Sequence, residues 1–127
     1  MSAETLLQRT HAAFREAGAQ VHSYERYEPV PFVSEPYVVF ISSGVIAESQ
    51  HKPNGKIATL YLDRTGDMAG GALTSREVDM PRALTEVALF ALPKKQVRGT
   101  SWGAIVREHE QVRKTRIERR LISLTTG

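Results

Sequence analysis

The chain has 127 residues, 41% hydrophobic and 24% charged, with a net charge of +3 and no cysteine. That is the size and balance of one domain able to bury a core; it is too short for two ordinary domains and rules out disulfides and thiolate metal sites. The wholly apolar run at 87–92 falls far below the roughly 20 residues of a membrane span, and the start, Met1-Ser2-Ala3-Glu4, lacks the basic and apolar segments of a secretory leader, so a soluble cytoplasmic protein with no membrane partner is expected.

A first helix is expected, with Ser2 as its N-cap, Glu4 in the first turn and Gly18 just past its end. Leu6, Leu7, Thr10, Phe14 and Ala17 recur along it at helical spacing. Residues 21–27 read as a short strand. Residues 28–36 contain Pro29, Pro31 and Pro36, which exclude a helix and disfavour a central strand. An extended arm is expected there, with Val30, Phe32 and Val33 in need of a partner surface. Residues 37–41 have strand composition and can continue past Gly44 to Ala47 through a bulge. Asn54-Gly55 suits a tight turn, and 57–63 alternate, with Ala58, Leu60 and Leu62 on one side and Ile57, Thr59 and Tyr61 on the other. A β-hairpin follows from that pattern.

Residues 64–75, with Gly66, Gly70 and Gly71, read as a flexible loop. Asp79 and Pro81 suit a helix start, Met80, Leu84, Val87, Ala88 and Ala91 share a helical face, and Pro93 ends it. Residues 87–92 are apolar on every side, so they lie deep or in an interface, with a strand as the alternative. Read as one helix, 102–124 scatter their apolar residues around the wheel, so two strands near 101–108 and 115–125 are expected instead. The fold class is α+β: an N-terminal helix, an antiparallel sheet of about four to five strands and a second helix packed on one face. Residues 1–127 form one domain with a Pro-rich arm (28–36) and a Gly-rich loop (64–75).

No constellation carries recognisable catalysis. His11, His22, His51 and His109 stand on different elements without metal-ligand spacing. Glu25, Glu28, Asp63 and Asp67 flank a proline loop and a strand end, where carboxylates are usually solvated. There is no Gly-x-Ser-x-Gly elbow, and the glycines match neither a P-loop nor a dinucleotide fingerprint. No cofactor or metal site is therefore expected. The strongest polar signal is charge placement. Residues 1–93 hold 8 Lys/Arg and 11 Asp/Glu, whereas 94–127 hold 9 Lys/Arg and 3 Glu. The cluster Arg107, Arg113, Lys114, Arg116, Arg119 and Arg120 is a candidate basic surface for phosphates or for the acidic face of a neighbour. Its bland reading is the charged outer face of an edge strand. Trp102, between Gly99 and Gly103, is a core plug or an interface anchor.

Three segments carry a family resemblance. They are Glu35-Pro36-Tyr37-Val38-Val39-Phe40-Ile41, Thr59-Leu60-Tyr61-Leu62-Asp63-Arg64 and Arg116-Ile117-Glu118-Arg119-Arg120-Leu121-Ile122-Ser123-Leu124. In this order after a glycine-ended helix, they resemble the tail-terminator and tail-completion (neck) proteins of long-tailed bacteriophages. The resemblance implies a non-enzymatic virion protein, made in the host cytoplasm. It would form a homo-oligomeric ring, usually a hexamer, at the tail–neck junction, and meet tail-tube or neck proteins. Val30, Phe32, Val33, Phe90 and Trp102 would then be candidate interface residues. The alternative is a small nucleic-acid-binding regulatory protein using the basic C-terminal third. An enzyme would require some of His22, Glu25, Asp63 and His109 to converge.

Overall fold

The computed structural model describes residues 5–33, 36–71, 73–74 and 78–126, with side chains of the last helix described as far as Arg119. The elements are α1 (Leu6–Glu16), β1 (Gln20–Tyr24), β2 (Tyr37–Ser43), β3 (Val45–His51), β4 (Ile57–Arg64), β5 (Met68–Gly70), β6 (Arg82–Ala83), β7 (Val87–Pro93) and α2 (Thr100–Thr126), with single 3-10 turns at Pro31–Val33 and Lys94–Gln96. The class is α+β, and the strands divide into two antiparallel sheets, β1-β7-β2-β5 and β4-β3-β6.

The four-stranded sheet is covered on both faces, which explains its sequence. Along β2, Val39 and Ile41 enter one apolar cluster, while Val38 and Phe40 enter a second. Along β7, Val87 and Leu89 join the first, while Phe90 and Leu92 turn to the second. The first cluster also takes Ile46 of β3 and Ala83 of β6, so it lies between the sheets; the second takes Phe14 of α1 and Ile105 of α2, so it lies under the helices. A strand buried on both faces has no polar side to alternate with. Residues 79–93 are therefore not the expected helix. They form β6 and β7, and β7 is an inner strand paired with both β1 and β2.

Gly44 marks where the chain leaves one sheet for the other, so β2 and β3 are separate strands rather than one bulged strand. Its φ is +102°, and a Cβ there would collide with the Glu86 carbonyl oxygen and stand 2.8 Å from Val87 Cγ2. Left-handed φ and close backbone approach both demand glycine. The expected hairpin is present as β3–β4, with Glu48 opposite Tyr61 and Ile46 opposite Asp63. Directly opposed residues share a face, so these four side chains sit on one surface of the hairpin.

Helix α1 begins at Thr5, whose hydroxyl accepts from Gln8 N at 3.1 Å while Gln8 Oε1 accepts from Thr5 N at 3.0 Å, a reciprocal capping box. The expected cap, Ser2, lies outside the described residues. The proline-rich segment forms a bridge at Pro29 to Arg82 and the turn Pro31–Val33. Val30 and Val33 are fully buried in the inter-sheet cluster, with Phe32 packed against it. The segment fills the core from the side, where proline is tolerated because no ladder hydrogen bond is needed. In the Gly-rich segment, β5 pairs with β2 and is buried along its length. Gly70 has φ +85°, and a Cβ there would lie 2.5 Å from the Tyr37 carbonyl oxygen. Those glycines admit close packing.

The expected pair of closing strands is replaced by α2. Trp102, Ile105, His109, Arg113 and Arg116 follow one another at spacings of three and four, which places them on one helical face. Ile105 and His109 are buried on it, and Trp102 packs edge-on against Phe14, ring centroids 5.3 Å apart. The first half of α2 thus covers the second apolar cluster, while its second half reaches the β3–β4 hairpin through arginines.

Candidate functional site

The polar centre of the molecule lies where α2 crosses the hairpin. Glu48 of β3 and Asp63 of β4 are fully buried. Arg113 closes on them. Its Nη2 donates to Glu48 Oε1 at 2.6 Å, its Nη1 donates to Glu48 Oε2 at 2.9 Å, and Nη1 reaches Asp63 Oδ1 at 3.3 Å. The guanidinium carbon stands 4.0 Å from the centroid of the Tyr61 ring. One turn on, Arg116 donates to Asp67 Oδ2 at 2.5 Å and to the Tyr61 hydroxyl at 3.0 Å. Asp67 also caps its own turn by accepting from Arg64 N at 2.8 Å.

Two carboxylates share the Arg113 guanidinium. Burial, then the hydrogen bond and charge of Glu48, push the Asp63 carboxyl well above the usual carboxylate range, against the pull of Arg113. Asp63 Oδ2 is buried without a hydrogen-bond partner. Burial works against the Arg113 charge, but Glu48 and Asp63 outweigh it and hold the guanidinium above its ordinary value. For Tyr61, burial and then the Asp67 charge raise the phenol.

A second contact ties α2 to α1. His109 Nε2 lies 2.8 Å from Thr10 Oγ1, and the same hydroxyl donates to the Leu6 carbonyl at 2.7 Å. Since the hydroxyl proton is engaged, Nε2 is assigned as the donor and Nδ1 carries no proton. Burial lowers the His109 pKa from 6.5 to about 4. Outside this pair, Arg9 holds Glu108 through two hydrogen bonds, 2.6 and 2.8 Å.

The residues singled out by sequence fall into different places. Of the basic cluster, Arg113 and Arg116 point inward to carboxylates, Arg107, Lys114 and Arg119 are exposed, and the Arg120 side chain lies outside the described residues. Among the candidate interface residues, Val30 and Val33 are sealed inside the chain, so neither is available to a second copy. Phe32 contacts His22 and Tyr37, Phe90 contacts His11 and Phe40, and Trp102 contacts Phe14. The four residues an enzyme would need have separate partners: His22 packs on Phe32, exposed Glu25 donates its N–H to Glu28, Asp63 meets Arg113 and His109 meets Thr10; of the other carboxylates, Asp67 holds Arg116. Among the described residues no group of three or more His, Asp or Glu side chains is placed to hold a metal, and no helix is long and apolar enough to cross a membrane. Sequence reasoning passed over Glu48, which opens the polar run Glu48-Ser49-Gln50-His51 after apolar Val45-Ile46-Ala47. The signal available was the continuation of the Trp102–Ile105–His109 face into Arg113 and Arg116.

This arrangement, two sheets with a long final helix across them, has solved counterparts. A CRP/FNR-family transcriptional regulator from Thermus thermophilus is similar at TM-score 0.69 and 23% identity, over 85% of this chain and 58% of that one. The haem domain of CooA from Carboxydothermus hydrogenoformans is similar at TM-score 0.60 and 16% identity, over 98% of this chain and 92% of that one. The N-terminal domain of a transcriptional regulator from Streptomyces coelicolor is similar at TM-score 0.58 and 18% identity, over 98% and 97%. The fold is that of the CRP/FNR-type regulators. No protein-family model matches the chain, and no curated protein matches it in sequence.

The CRP/FNR-type fold corrects the phage tail-terminator resemblance, and with it the hexameric ring, the tail-tube and neck partners and the virion location. The motifs behind that resemblance mark local structure: Pro36-Tyr37 opens a doubly buried strand, and Leu60-Tyr61-Leu62-Asp63 alternates on a hairpin. Neither specifies how sheets and helices are assembled. The chain spans 58% of the Thermus regulator, so it corresponds in extent to part of that protein.

Proposed function

We propose that the chain is a non-enzymatic regulatory module acting on transcription, in which the two-sheet body controls the position of α2. The reading is carried by extent: the chain matches nearly the whole of the N-terminal domain of a transcriptional regulator from Streptomyces coelicolor, and likewise nearly the whole haem domain of CooA. The buried network supports it physically. A helix fixed by apolar packing alone would be welded to its sheet. Helix α2 is instead held in its second half by charged groups whose pairing responds to protonation and to competing ions.

Nucleic acid is the proposed macromolecular partner, reached directly or through further protein. Lys95, Arg98, Arg107, Lys114 and Arg119 are exposed and supply the positive surface; Arg113 and Arg116 are engaged inside and do not. Self-association is proposed as a small homo-oligomer rather than a ring. Deleting the gene is expected to change the transcript levels of a discrete set of genes, read by transcript sequencing, with restoration by the intact chain. An unchanged transcript profile under several growth conditions would count against a role in transcription.

A further inference from the structure

We propose that Glu48, Asp63 and the Tyr61 ring form a binding site for a small molecule bearing a guanidinium-class planar cation, with Arg113 of α2 as its resident, displaceable occupant. Such a site stands on the pocket alone and does not require the chain to act on transcription.

The pocket recognises a guanidinium from three sides. Glu48 accepts two nearly parallel hydrogen bonds, Asp63 accepts one along the edge, and Tyr61 covers the flat face. That fork-and-face arrangement suits a planar delocalised cation and not a tetrahedral ammonium. The hairpin register places both carboxylates, since Glu48 is opposite Tyr61 and Asp63 lies two residues along β4. The pocket therefore belongs to the sheet, while its occupant belongs to the helix.

Arg113 leaves the pocket incompletely used. Asp63 Oδ2 is buried and has no hydrogen-bond partner, so Arg113 leaves one polar atom of the site unsatisfied. An aminoguanidine, whose terminal amine can donate or accept a hydrogen bond, would complete it. Two open clefts flank the site, one reaching Arg113 and the other reaching Tyr61. One, about 400 Å³, is lined by Leu73, Glu110, Arg113 and Ile117; the other, about 790 Å³, is lined by Leu60, Tyr61, Arg116 and Ile117. A ligand can approach along either as the Arg113 side chain swings out.

Displacement has a mechanical consequence. Arg113 is tethered, so it competes at high effective concentration and the free ligand binds weakly while α2 is docked. Whatever loosens the second half of α2 raises ligand affinity, and bound ligand in turn favours the loosened helix.

The test uses the full chain with Arg113→Ala and methylguanidinium at millimolar concentration. Methylguanidinium is expected to raise the melting temperature by several degrees, while methylammonium at equal ionic strength does not, and adding Glu48→Gln abolishes the gain. If Arg113→Ala does not fold, the same series is run on Arg113→Gln. Equal responses to the two cations, a response that survives Glu48→Gln, or no response in either variant overturns the site. In the wild-type chain, agmatine is expected to produce a saturable change in the emission of Trp102, the chain's single tryptophan. A flat titration there means that Arg113 is a fixed strut, and overturns the exchange.

Discussion

Arg113→Ala is expected to cost about 3–5 kcal/mol of folding stability, the penalty for leaving a buried charged partner uncompensated. Glu48 is fully buried and accepts two of its hydrogen bonds from this one side chain. The loss should reflect the stranded carboxylate and not a high intrinsic worth of the pair. The double change Glu48→Met with Arg113→Met should therefore recover most of it, because apolar groups of similar size replace both charges. Urea unfolding of wild type, both single variants and the pair measures this. A double variant no more stable than Arg113→Ala would show that the network contributes more than charge compensation.

The second large effect is a pH dependence centred on His109. Its pKa in the folded chain is about 4, against 6.5 for the free side chain. Between those values the unfolded chain binds the proton more readily, so stability rises as pH rises through the window and falls as pH drops toward 4. The full difference is on the order of 3 kcal/mol. Asp63 acts with the opposite sign: its raised pKa means that the folded chain keeps a proton the unfolded chain releases, so its contribution declines as pH rises above 3.8. The His109 effect is thus read as a difference between wild type and His109→Gln, which keeps a donor toward Thr10 but does not titrate. That difference should grow in favour of wild type from pH 4 to pH 7. A constant difference would mean that His109 titrates normally in the folded chain.

Much of the sheet architecture was legible in the sequence because it depends on local rules. The β3–β4 hairpin follows from alternation around Asn54-Gly55, and β2 follows from its aromatic and β-branched run. Misreadings arose where tertiary environment overrides local pattern. Residues 87–92 show no strand alternation because both faces of β7 are buried, which left a helix and a strand open. Residues 28–36 read as an arm because their prolines forbid regular structure, yet Val30 and Val33 complete the inter-sheet core.

The candidate site was hidden by the same cause that makes it a site. Helix α2 fails the amphipathic test because its inward face changes from apolar to cationic after Ile105, and inward arginines look like surface residues until their buried carboxylates are located. Those carboxylates stand 65 and 50 residues away in sequence. Single-sequence reasoning has no signal linking Glu48 and Asp63 to Arg113 across that distance, so a buried network read as a solvated basic face. Family resemblance failed for a related reason, since its motifs described strands that many assemblies share.

The proposed role in transcription is tested most directly by occupancy of the chain along the genome of the cells that produce it, measured after crosslinking and immunoprecipitation. Discrete promoter-proximal enrichment that changes on Arg113→Gln is the predicted result; a featureless profile for the wild-type chain, with the protein present and folded, would contradict it.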